Sequence, residues 1–173
     1  MTNYYNLTTA MPQKIKADKE YPFYQAYHDV KYILRHDCSK DVPLREPKES
    51  RTYRFLNKSQ KEIVVYHVDA GIIKNDNISK CDYGIFTEDD TLFLIELKGS
   101  DQEHAIEQIN STIKHLLDTP KVKVKKVNAR VVLSRVSVPR IATSSENKLK
   151  QMLFKRYGGG TYKKQTRNLE EIY

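Results

Sequence analysis

Four consecutive apolar residues, Leu92-Phe93-Leu94-Ile95, run directly into Glu96-Leu97-Lys98. A run of this kind fits a strand buried on both faces rather than one with a wet side. Strand side chains alternate between faces. Phe93, Ile95 and Leu97 therefore point one way, and Leu94, Glu96 and Lys98 the other. A carboxylate and an ammonium on such a strand are costly unless something pairs with them. Upstream lies Cys81-Asp82-Tyr83-Gly84-Ile85-Phe86-Thr87, separated from the run by the acidic turn Glu88-Asp89-Asp90. If the two segments pair as a hairpin, Asp82 comes close to Glu96, and two carboxylates converge with a lysine one pleat away.

Two carboxylates, a backbone carbonyl and water make a workable Mg²⁺ site. A metal held there can lower the pKa of water and neutralise charge on a phosphoryl oxygen, and an adjacent lysine can orient that water. Asp82 followed by Glu96-Leu97-Lys98 on the next strand resembles the D-(X)n-E-X-K signature of the PD-(D/E)XK nuclease superfamily. Glu-x-Lys also occurs at Glu46-Pro47-Lys48 and Glu146-Asn147-Lys148. The first contains a proline unsuited to a central strand, and the second reads as the first turn of a helix. Cys81 stands where the family usually has a proline. The resemblance implies metal-dependent hydrolysis of phosphodiester bonds in nucleic acid, DNA foremost. Asp82 and Glu96 would hold Mg²⁺ or Mn²⁺ with the Leu97 carbonyl, and Lys98 would position the attacking water. It also implies a role for Gln108, because Ala105-Ile106-Glu107-Gln108-Ile109 looks like the glutamine-bearing helix of many relatives. Gln102 is the weaker alternative, and Glu20 corresponds to an acidic residue on the first helix of some relatives. Many relatives are homodimers, a state this sequence leaves open.

The remaining chain reads as an α/β domain with a mixed central β-sheet flanked by helices. A helix is expected from about Asp18 to His36, with Pro22 in its first turn and Phe23, Tyr24, Tyr27, Val30 and Leu34 as a partial stripe. Cys38 to Ser50, interrupted by Pro43 and Pro47, reads as a basic connector. Strands are expected at Arg51–Leu56, at Glu62–Val68 and from Val127 to Val136. Ser100 and Glu103 suggest a capping box opening a helix to about Asp118, whose apolar face is Ala105, Ile106, Ile109, Ile113, Leu116 and Leu117. Strand, helix and strand in that order make a parallel crossover. Thr143 and Glu146 suggest a second capping box, and Gly158-Gly159-Gly160 ends that helix before a basic segment, Thr161 to Arg167, whose Lys163, Lys164 and Arg167 suit a last edge strand or a track for nucleic acid. The order is close to the α-β-β-β-α-β core of restriction-endonuclease-like folds, spanning about residues 51–136 of a single domain of 173 residues.

A net charge of +8 favours a polyanionic partner, with Lys121, Lys123, Lys125 and Lys126 as candidate phosphate contacts. His67 and Asp69 are secondary candidates at the end of one strand, Asp69 and Asp76 reading first as turn formers. The two cysteines, Cys38 and Cys81, exclude a four-cysteine iron–sulfur cluster within this chain. No Gly-x-Ser-x-Gly is present. The absence of a secretory leader or a long apolar span sets a cytoplasmic, membrane-free expectation. The alternative function is a catalytically inactive nucleic-acid-binding or protein-interaction module on the same fold.

Overall fold

The computed structural model describes residues 21–47, 50–97, 101–134 and 142–173. Asp18, Glu20, Lys48, Lys98, Ser100, Val136 and the segment 1–16 lie outside the described residues. The elements run α1 (Pro22–Ala26), β1 (Ile33–Asp37), β2 (Asp41–Arg45), β3 (Thr52–Leu56), β4 (Ile63–His67), β5 (Tyr83–Thr87), β6 (Thr91–Glu96) and α2 (Gln102–Ile113). A π-helical turn (Lys114–Asp118) extends α2, followed by β7 (Lys126–Leu133), α3 (Ser144–Arg156), β8 (Tyr162–Thr166) and β9 (Asn168–Ile172). The fold is mixed α/β. A six-stranded sheet has the order β1-β4-β5-β6-β7-β8, and a three-stranded sheet the order β2-β3-β9. Strands β4, β5 and β6 form an antiparallel meander. From β6 onward the pairing is parallel, because α2 and α3 each carry the chain back to the starting end of the sheet.

The central strands are buried on both faces, which requires a cover on each side. On one side Phe86, Leu92, Leu94, Val127, Ala129 and Val131 pack with Ile106, Ile109, Ile113, Leu149 and Leu153 of the helices. On the other, Ile85, Phe93, Ile95 and Val132 pack with Val42, Leu44, Tyr53, Phe55 and Leu169 of the small sheet. Helices thus cover one face and strands the other. Among the described residues, no helix is long and apolar enough to cross a membrane.

Three departures from the sequence reading have physical causes. The first helix is one turn and a half, not a helix to His36. Asp29 Oδ1 accepts the Lys31 N–H at 3.0 Å, turning the chain, and β1 then pairs with β4. Val30 and Leu34, placed on the helical stripe, are exposed. The connector contains β2, where Val42 and Leu44 are buried between exposed Pro43 and Arg45. Pro43 is admitted because β2 is an edge strand. Strand β9 is disguised by Glu171, which occupies an inward position beside Leu169. Both expected helix starts are capped. The first uses Asp101 in place of the expected Ser100, its side chain accepting the His104 N–H, and the second uses Thr143, which accepts the Glu146 N–H. At the return from α3, Gly158 has φ +59°, and a Cβ at Gly160 would run into the Val127 carbonyl.

Glu171 is the partner of Arg130 on β7, a guanidinium that is 2% exposed. Arg130 also donates to the Ala129 and Thr161 carbonyls, each at 2.9 Å, and Lys163 Nζ lies 3.0 Å from Glu171 Oε1. This is a buried polar tie between the two sheets. Burial pushes the Glu171 carboxyl up, but the bonds and charges of Arg130 and Lys163 outweigh it and hold its pKa below 4.5. By contrast, the Arg54–Asp41 pair is exposed and contributes little.

Glu171→Gln is expected to destabilise by about 3–5 kcal/mol, since it leaves a buried cation without its counter-charge. Replacing both partners, Arg130→Met with Glu171→Leu, is expected to cost far less. Because the folded pKa of Glu171 is depressed, its contribution is present above the ordinary glutamate value and is lost as pH falls through the folded value. The melting temperature of the wild type should therefore drop on acidification below about pH 4.5, the unfolded reference. That component should be missing in Glu171→Gln. Melting curves at several pH values check both statements.

Candidate functional site

The register of β5 and β6 pairs Tyr83 with Ile95 and Gly84 with Leu94. One step further, Asp82 and Glu96 fall opposite each other on the helix side of the sheet. Directly opposed side chains in an antiparallel pair start about 5 Å apart at Cβ. The Leu97 N–H donates to Asp82 Oδ2 at 2.7 Å, which fixes the Asp82 carboxylate at the end of β6. Glu96 is wholly buried, and Asp82 is half-buried. The neighbouring Cys81 thiol senses both charges. Burial pushes its pKa up, and Glu96 and Asp82 push it further.

The backbone bearing Asp82 is held from several directions. The Val68 N–H donates to the Asp82 carbonyl at 2.9 Å. The Cys81 N–H donates to Thr112 Oγ1 at 2.9 Å, and the Thr112 hydroxyl donates to the Gln108 carbonyl at 2.8 Å. Gln108 Nε2 donates to the Lys80 carbonyl at 2.8 Å. Gln108 and Thr112, one turn apart on α2, thus form a clasp on Lys80 and Cys81. Gln108 is buried with its amide nitrogen committed to backbone, which makes it a positioning residue for Asp82 in this geometry. Lys80, also buried, closes the preceding loop through Asp69 Oδ1 at 3.2 Å and the Asn75 carbonyl at 2.9 Å.

Asp82, Glu96 and Leu97 are therefore brought together, while Lys98 lies outside the described residues. His67 does not join them. It pairs across from Tyr83 and lies against its ring, on the small-sheet side. Asp69 serves the Lys80 ion pair. Lys121, Lys123 and Lys125 precede β7, whose Lys126 pairs with Thr91 at the start of β6. They are about 16 Å along the strand from Glu96, at the opposite end of the sheet. Within the basic segment Thr161 to Arg167, the side chain that comes to the Glu96 end of the sheet is Lys164. It bonds Gln102 Oε1 at 2.8 Å and Glu146 Oε2 at 2.6 Å, near the starts of α2 and α3. Only strand register reveals that placement. Thr112 had a legible signal, its spacing of four from Gln108 on one helix face.

Chemically, the two carboxylates and the Leu97 carbonyl are hard oxygen donors, a set suited to Mg²⁺ completed by water. They lie beside each other in a poorly solvated place, where like charges repel unless a cation is shared. Among the described residues, no group of three or more histidine, cysteine, aspartate or glutamate side chains is placed to hold a metal. A soft, protein-saturated site of the zinc type is thus not built from them.

Thr112→Val keeps the shape of the side chain and removes the acceptor for the Cys81 N–H. A buried amide left without a partner costs about 1–3 kcal/mol. Chemical denaturation should report that loss, with Thr112→Ser restoring most of it.

No family model, no curated protein and no solved structure matches this chain.

Proposed function

We propose that this protein is a metal-dependent nuclease acting on DNA, with Asp82, Glu96 and Lys98 at its centre. The observation that carries the reading is the convergence of Asp82 and Glu96 from adjacent strands. It occurs at the end of a buried hairpin, with Leu97 N–H locking the Asp82 carboxylate. The succession of β4, β5, β6, α2 and β7 supports it, since it follows the strand and helix order of the PD-(D/E)XK core that the motif resembles. The net charge of +8 suits a polyanionic substrate.

Asp82 and Glu96, with the Leu97 carbonyl, would hold Mg²⁺ or Mn²⁺. Bound there, the cation supplies a water of lowered pKa and a counter-charge for the phosphoryl oxygens. Asp82, half-exposed, offers the side open to substrate, while buried Glu96 anchors the inner side. Lys98, which follows Leu97 in the sequence, would orient the attacking water and oppose the charge that develops on the phosphate. Gln108 acts through the Lys80 carbonyl, keeping Asp82 in place. The cytoplasm is the compartment where this reading places its action.

The complete burial of Glu96 favours a second reading, a nucleic-acid-binding module that does not cut. The two are separated by incubating the purified protein with Mg²⁺ or Mn²⁺ and labelled single-stranded, duplex or branched DNA, with RNA alongside. Cleavage is expected, with Glu96→Gln and Lys98→Ala each lowering it by at least about 100-fold, the scale of a lost catalytic group, while DNA binding persists. Calorimetric Mn²⁺ binding should disappear in Glu96→Gln. Binding without cleavage by the wild type would select the second reading. Cleavage that persists in a clean Asp82→Ala preparation would overturn the assignment.

A further inference from the structure

The parallel register aligns Glu96 with Val131 on β7, and Val131 with Lys164 on β8. Residues in one such row point to the same face of the sheet. Tyr162, two residues before Lys164, packs among the helices, and Lys163 turns to Glu171 on the other side. Lys164 therefore faces the helix layer, as Glu96 does, two strands away. Two strand spacings put their Cα atoms about 10 Å apart.

The Lys164 ammonium is not loose. Glu146 is buried at the start of α3, and its carboxylate serves both Lys150 and Lys164. Gln102 Nε2 donates to Glu146 Oε2 at 2.8 Å, and Lys164 Nζ donates back to Gln102 Oε1. One carboxylate between two ammonium groups leaves an excess positive charge. An ammonium has three N–H groups, and among the described residues Gln102 and Glu146 engage two of Lys164's. Its side chain remains 21% exposed. Gln102 opens α2 shortly after Glu96 in the chain, so the same knot ties the helix start to β8.

We infer that Lys164 is an anchor for a backbone phosphate of the DNA strand, next to the phosphate held at Asp82 and Glu96. The inference rests on the nuclease reading and adds a substrate-positioning residue to it. The pairing with Glu146 and Gln102 fixes the ammonium in advance, so little side-chain freedom is lost when the phosphate arrives. The more conspicuous lysines at positions 121, 123 and 125 lie at the far end of the strands and cannot serve this place.

The test compares the wild type with Lys164→Met and Lys164→Arg. Cleavage of a fluorescent duplex oligonucleotide is measured with Mg²⁺, and anisotropy binding of the same oligonucleotide is measured in EDTA over a range of KCl. Lys164→Met is expected to raise KM several-fold with a much smaller change in kcat. It should also reduce the salt slope of binding by about one, the signature of a single lost phosphate contact. Lys164→Arg should restore both. If Lys164→Met melts below the assay temperature, Lys164→Gln removes the charge while keeping an N–H for Glu146, and is read the same way. A folded variant with unchanged KM and salt slope overturns the inference while leaving the nuclease reading intact. A wild type that neither cuts nor binds DNA overturns both.

Discussion

The arrangement of the whole chain follows from a hairpin that has no wet side. Every residue of β5 and β6 is buried. Such a pair cannot lie at the surface, so each face needs its own apolar cover. The sequence supplies one from α2 and α3 and the other from β2, β3 and β9. The only acidic side chain carried by these two strands is Glu96, at the final position of β6. The candidate site lies where the double burial ends.

The sheet is electrostatically uneven along its strands. At one end the exposed lysines before β7 accompany the acidic turn between β5 and β6, with the Lys125 N–H donating to the Asp90 side chain at 3.0 Å. At the other, the carboxylates of Asp82 and Glu96 stand near a knot in which Lys150 and Lys164 share Glu146. Overall charge alone would assign nucleic-acid contact to the longer lysine run. Under the proposed reading, position along the strands assigns it to Lys164 instead.

How much of this was legible in the sequence depended on the range of the interactions involved. The β5–β6 hairpin, the crossover through α2 and the Thr143 cap of α3 were readable, because period, turn residues and caps are local signals, whereas the α2 cap fell one residue later than expected, on Asp101. The approach of Asp82 to Glu96 was readable for the same reason, the two being joined by one short turn. Strands β1 and β9 were not. Their ladders are made with β4 and β3, distant in sequence, and in each a polar residue, His36 or Glu171, interrupts the hydrocarbon expected of an inward position. The tyrosine-rich stretch around Phe23 and Tyr27 mimicked a helical period that an Asp29 turn interrupts. Lys164 was legible as part of a basic segment, but its place beside the carboxylates was not. Its proximity to Glu96 exists only through two successive strand pairings.

Strand β9 completes the cover over the face that β2 and β3 leave partly open, and it does so in parallel with β3, Thr52 matching Asn168. A ribosome delivers those two segments far apart in time. Until the later one emerges, Phe93, Ile95 and Val132 have an incomplete roof, and Arg130 waits for its counter-ion. Such late closure makes a nascent chain prone to capture by chaperones and slow to reach its final form. The last strand is in this sense the keystone of an arch whose other stones are set early.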